Sequence, residues 1–218
     1  MKREVDINSI TDGCRYGAED VVKIGCGDCA GCDKCCHGMG QSIVLDPRDI
    51  FELCKGLGKD IAWLLDNRLE LAVIDGLILP VMKLQGDGDG CGFLDESGRC
   101  SIHDFRPGIC RLFPLGRIYR QDEDTFDYVI QIHECPYPNK TKVKIKKWLD
   151  IPRLKDYERY IERWHELTSN IRAFARKQDE AAVRSLTTNL LNLFYVMPYD
   201  LECDFYEQFY ARLDKLIS

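Results

Sequence analysis

Apolar positions along the chain follow two different patterns, and the change comes at about residue 153. Ahead of it the apolar runs are short and punctuated by turn residues, the signature of brief strands and helices rather than long ones. The run 21–24 fits a strand or a helix turn, and 42–45 reads as a brief strand. Asp46 then supplies an N-cap acceptor and Pro47 a first helical residue, which predicts a helix from 47 to about 55. Gly56 and Gly58 stop it, and Asp60 caps a second helix carrying Ile61, Trp63, Leu64 and Leu65. The runs 69–74 and 77–84 are joined by Asp75-Gly76, a strong signal for a tight β-hairpin. A second hairpin is expected from 116–120 and 126–132 around the acidic segment 121–125.

From 153 onward the period is helical. Leu154, Tyr157, Tyr160, Ile161, Trp164, Leu167, Ile171 and Phe174 mark one face. Asp179 caps a second helix bearing Val183, Leu186, Leu190, Leu191 and Phe194, and Pro198 ends it before a third with Leu201, Phe205, Phe209, Leu213 and Leu216. The aromatic residues of these stripes are expected to pack in a core, not to line a cofactor. The fold class expected is α+β: a small metal-stabilised domain of short helices and β-hairpins over residues 1–150, then a three-helix segment over 151–218 packed on it or on a protein partner.

Composition narrows the class. An apolar fraction of 45% in 218 residues supports a real core, and the formal net charge of −6 gives no reason to expect nucleic acid or an anionic membrane surface as partner. The first residues are charged at once, without the apolar stretch of a signal peptide, and no run of about 18 apolar residues is present to span a bilayer. A cytoplasmic location is therefore expected. There, twelve cysteines are better explained by metal ligation than by disulfides.

Cys26, Cys29, Cys32, Cys35 and Cys36 crowd into eleven residues, and Cys91, Cys100, Cys110 and Cys135 follow. Two-residue gaps return successive sulfurs to the same side of a turning backbone, as zinc and iron–sulfur sites require. One tetrahedral site cannot use so much sulfur, whereas eight thiols supply two four-thiolate sites. Neighbouring Cys35 and Cys36 diverge in an extended backbone and can feed different centres. The other count is one cluster with the remaining cysteines structural.

The elements CxxCxxCC at 29–36, CxFL at 91–94, GRCSI at 98–102, RPxxCRxFP at 106–114 and the later Cys135 span about half the chain. In these the chain resembles the YkgJ-type cysteine-cluster family of zinc- or iron-chelating domains. The resemblance implies the ligands Cys29, Cys32, Cys35, Cys36, Cys91, Cys100, Cys110 and Cys135, with Cys26 or Cys14 able to replace one of them. It reaches the cysteine-rich part of flagellin lysine N-methylases, which favours an iron–sulfur cluster over zinc and implies, by analogy, a link to S-adenosylmethionine-dependent protein lysine methylation. An interaction module stabilised by zinc is the third reading.

Eight thiolates around two zinc ions, or two clusters with doubly positive cores, leave a charge of about −4, which Lys34, Arg99, Arg106, Arg111 and Arg117 are placed in sequence to screen. Surface ion pairs with Asp95, Glu96 and Asp104 are the plainer use of those cations. His37, His103 and His133 flank proposed ligands and are expected to hydrogen-bond behind them. Cys54 and Cys203 are expected to pack as small hydrophobes. The glycines near Cys26 imitate a dinucleotide turn without the βαβ alternation, and Asp87-Gly-Asp89 imitates a calcium loop with Cys91 where a third oxygen ligand belongs. Nothing outside the cysteines nominates a catalytic residue, so enzyme status stays open.

Overall fold

Among the described residues no strand exceeds six residues, and each finds one partner rather than building a wide sheet. The computed structural model describes residues 7–27, 32–85, 90–120 and 125–217. Among these, four antiparallel two-stranded sheets stand beside helices in an α+β architecture. The strands are β1 (Val21–Gly25), β2 (Leu69–Ile74), β3 (Leu77–Met82), β4 (Leu84–Gln85), β5 (Gly90–Cys91), β6 (Leu115–Tyr119), β7 (Phe126–Ile130) and β8 (Thr141–Lys144), paired β1 with β8, β2 with β3, β4 with β5 and β6 with β7. The helices are α1 (Ile7–Ile10), α2 (Pro47–Leu57), α3 (Ile61–Asn67), α4 (Gly108–Leu112), α5 (Ile145–Leu149), α6 (Leu154–Ala175), α7 (Glu180–Leu191) and α8 (Phe205–Ile217).

Turn and cap chemistry put these elements where the sequence predicts most of them. Asp75 and Gly76 both take positive φ, 49° and 85°, so the β2–β3 hairpin turns in two residues. Asp46, Asp60 and Asp179 each accept a hydrogen bond from a backbone N–H of the first helical turn. The run 21–24 resolves as a strand.

Three expectations are corrected. The 77–84 strand divides: β3 ends at Met82, because Lys83 gives its N–H to Arg68 O and its carbonyl to Gly92 N, which turns Leu84 and Gln85 onto β5. Residues 42–45 form no strand. Val44 makes an isolated bridge to Val81, with Met82 N donating to Ile43 O and Leu45 N to Pro80 O. Pro80 has no N–H to return to Leu45 O, so the ladder stops, and the Tyr195 hydroxyl donates to that carbonyl instead at 2.9 Å. On α6, Phe174 sits in the last turn and is 55% exposed rather than facing the core. The acidic segment assigned to the second hairpin turn lies, but for Thr125, outside the described residues.

The core is continuous from β1 through α8. Tyr160 of α6 stands edge-on to Phe205 at 5.2 Å and to Phe209 at 4.7 Å, and Phe51 of α2 meets Phe205 at 5.4 Å. Such aromatic pairs each add about 0.5–1.5 kcal/mol beyond burial. Within α2, Gly56 lets Phe105 approach so closely that a Cβ would lie 2.5 Å from the ring. Gly56→Ala is therefore expected to destabilise the protein by about 1–3 kcal/mol through overpacking, despite the better helix propensity of alanine. Urea unfolding checks this, and an unchanged or raised midpoint would refute the close packing.

Candidate metal centre

The cysteine segments are brought together by short backbone contacts. A tight helical turn over Lys34–Cys36 leads into His37, which bridges to Gly90 of β5 and so sets the CxxCxxCC loop beside Cys91. From Cys91 the chain turns through Leu94 N to Cys91 O, then through Asp95, whose carboxylate accepts the N–H groups of Ser97 and Arg99. Leu94 bridges to Cys100 and Ser101 N donates to Phe93 O, which folds Cys100 back toward Cys91. The turn His103–Phe105 and the Arg106-Pro107 step then deliver α4, with Cys110 in its middle.

The electrostatics report the same gathering. The Cys36 thiol is raised above its ordinary value, first by its hydrogen bond with Cys35, then by burial and by the nearby Cys35, Cys91 and Cys100 sulfurs. Its partner Cys35 is lowered to about 7, chiefly by that hydrogen bond and next by the Arg106 guanidinium, against the opposing effect of burial. Burial raises Cys91, Cys100 and Cys110, and each of the three also feels Cys35. Five thiols from three separate segments thus share one neighbourhood. One thiol lowered toward ionisation among four that resist it is a set that a cation would relieve, so the donor chemistry fits a thiophilic metal.

The other sulfurs stand differently. Cys29 lies outside the described residues. Cys32 is half-buried, and Cys135 is half-buried with its carbonyl accepting from Lys140 Nζ at 2.8 Å. Cys26, 3% exposed, closes the end of β1, and its neighbour Gly27 lies against the Tyr137 hydroxyl, two residues from Cys135. Cys14 is exposed. Cys54 packs in the core as expected, but Cys203 does not: it is exposed and its thiol donates to Asp200 at 3.3 Å. Among the described residues no group of three or more cysteine, histidine, aspartate or glutamate side chains is drawn close enough to hold a metal ion as it stands.

The proposed screening cations separate as well. Arg106 acts on Cys35 and Cys100 and donates to His103 Nε2 at 2.6 Å. Arg111 is spent on the carbonyls of Arg106, Asp104 and Asp150. Arg117 is turned inward, donating to the Tyr157 hydroxyl and lying over the Phe126 ring, away from the thiols. His37 meets Asp33 at 3.3 Å. The mimic of a calcium loop at Asp87 and Asp89 lies outside the described residues.

The N-cap at Asp46 is as the sequence predicts, but its partner Asp49 escaped the sequence reading. Asp46 and Asp49 cap α2 reciprocally: Asp49 N donates to Asp46 Oδ1 at 2.9 Å and Asp46 N to Asp49 Oδ2 at 3.1 Å. Asp49, 2% exposed, also accepts from Gly108 N at 2.7 Å, which holds the first residue of the helix that carries Cys110. The spacing of two aspartates around Pro47 was the available signal for the cap. Nothing in it pointed to Gly108.

A cysteine-rich α+β unit that gathers buried and half-buried thiols from separate segments fits the class of metal-chelating domains. The chain is a member of the CxxCxxCC family, described as a "Putative zinc- or iron-chelating domain", whose model matches residues 28–136, half of its length. No curated protein and no solved structure matches the chain. No helix among the described residues is long and apolar enough to cross a membrane.

Burial and the Asp46 carboxylate push Asp49 up to about 8, against the hydrogen bonds that lower it, from an unfolded value of about 3.9. The folded state therefore retains a proton that the unfolded chain releases, and stability from this group falls as pH rises from about 4 to about 8. Asp49→Asn removes that slope, so its stability relative to the native sequence should rise across this window and level off above it. Denaturant unfolding over a pH series reads the difference, and parallel profiles would contradict it. Asp49→Ala should destabilise at every pH, each orphaned amide costing about 1–3 kcal/mol.

Proposed function

We propose that this protein holds iron as an iron–sulfur cluster, or clusters, through Cys29, Cys32, Cys35, Cys36, Cys91, Cys100, Cys110 and Cys135. The observation that supports this most is the crowding of the Cys36 thiol by Cys35, Cys91 and Cys100, sulfurs from segments far apart in sequence. Cys110 joins them from α4. Tyr137 lying beside Gly27 supports a second group, in which Cys135 joins sulfurs from the front of the chain. In this reading residues 1–150 are the chelating unit and 151–218 a helical segment packed against it.

Thiolate shells accept both iron and zinc, and the likeness of the cysteine pattern to that of flagellin lysine N-methylases favours iron. A bound cluster would supply one-electron transfer. The residues of the chain have a different task. Arg106 offsets negative charge at Cys35 and Cys100, and the Asp49 carboxylate fixes Cys110 through Gly108 N. Because thiols must ionise to ligate, binding would release protons and draw the gathered sulfurs closer.

Anaerobic purification followed by iron, acid-labile sulfide and zinc analysis tests the proposal. Visible colour with iron and sulfide is expected, lost in Cys36→Ser and Cys100→Ser but retained in Cys203→Ser. Colourless protein with stoichiometric zinc would replace iron by zinc on the same ligands. Absence of all three after reconstitution would reject metal holding altogether.

A further inference from the structure

The chain is acidic overall, yet five lysines fall between 140 and 147. β8 and α5 sort them. Lys144 and Lys146 pair with Glu19 at 3.4 and 2.8 Å, and Lys140 donates to Cys135 O. Lys142 and Lys147 are exposed and have no carboxylate partner among the described residues. Both line a cleft of about 360 Å³ together with Arg106 and Arg111 of the cysteine motif and with Cys26. That volume lies at the small end of the range for small-molecule sites.

Three observations make this cleft more than a solvated basic surface. Lys142 stands directly across from Lys23 in the β1–β8 pair, a like-charge juxtaposition that costs stability unless an anion offsets it. Arg106 lines the cleft and has no carboxylate partner among the described residues, so its charge is not neutralised by the protein. Asp104 and Asp150 also lie on the wall, with Asp150 3.9 Å from Arg111, and against these two carboxylates Arg106, Arg111, Lys142 and Lys147 leave the lining with a surplus of two positive charges. Trp148, its indole N–H given to Phe113 O at 3.1 Å, and Val143 add an apolar wall.

We infer that this cleft binds a phosphate group, carried by a small phosphomonoester or free as phosphate, between Arg106, Lys142 and Lys147. A guanidinium with two ammonium groups, at a net surplus of two charges, matches the double charge of a phosphate. Arg106 also acts on Cys35 and Cys100, so the bound anion would sit at the edge of the thiol cluster and share one cation with it. The site stands on its own lining and does not require the iron reading to hold.

The test is calorimetric titration of the protein, carrying whatever metal it is purified with, with inorganic phosphate and separately with phenyl phosphate, at matched ionic strength against chloride. Saturable binding in the millimolar range or tighter is expected. The Lys142→Ala/Lys147→Ala double variant should bind at least about tenfold more weakly, with metal content unchanged and the thermal midpoint not lowered, because both side chains are exposed and the Lys23–Lys142 repulsion is relieved. Tighter binding of phenyl phosphate assigns the site to an organic phosphomonoester using the Trp148 wall, and equal binding assigns it to the free ion. No saturable binding of either anion, equal competition by chloride, or undiminished affinity in the double variant would overturn the inference.

Discussion

The buried aspartate pair at the start of α2 is the constraint on which the cysteine motif depends. Asp46 and Asp49 exchange backbone hydrogen bonds, Tyr160 of α6 donates to Asp46 Oδ1 at 3.0 Å, and Gly108 of α4 donates to Asp49 Oδ1. Burying two carboxylates is costly, and here four directed donors offset the cost. Both acids are nonetheless raised, chiefly by burial, which keeps a proton in the pair. Because Gly108 also passes under the Tyr157 hydroxyl, no side chain fits at that position. A helix from the front of the chain, the long helix from its end and the short helix bearing Cys110 thereby converge on one polar knot.

This knot divides the molecule by what holds it. On one side lies the aromatic packing of Phe51, Tyr160, Phe194, Phe205 and Phe209, all buried. On the other lie the turns that carry Cys35, Cys36, Cys91 and Cys100, held by isolated bridges and single backbone hydrogen bonds. A cation engaging those sulfurs would act on turns that few backbone hydrogen bonds hold. The apparent binding energy of structural zinc, about 10–16 kcal/mol, matches the stability of a whole domain.

Elements signalled by turn and cap residues were legible in the sequence. Asp75-Gly76, Asp60 and Asp179 each impose a local geometry whatever surrounds them. Long-range pairing was not. β8 reads as a solvated lysine run, and only its pairing with β1, 120 or so residues earlier, makes it a strand. Pro80 stopped the ladder that 42–45 would have joined, for want of a single N–H. At the site, spacing identified the thiols but not the roles of the arginines: Arg106 faces sulfur while Arg117 turns to Tyr157, although both lie close to Cys110 in sequence. Cys54 and Cys203 were alike in sequence terms, and burial alone separates them.

The position of Arg106 links the two chemical features of the protein. Its guanidinium is attracted to any thiolate that forms at Cys35 or Cys100, and one nitrogen is engaged by His103. A cation shared between a thiolate set and a neighbouring cleft stabilises negative charge on either side, but less on each when both are filled. Anions in the cleft and negative charge at the sulfurs are therefore coupled with an unfavourable sign through this one side chain. By reciprocity, whatever adds negative charge at the thiols, their ionisation on metal ligation included, must weaken the hold on an anion in the cleft by the same factor.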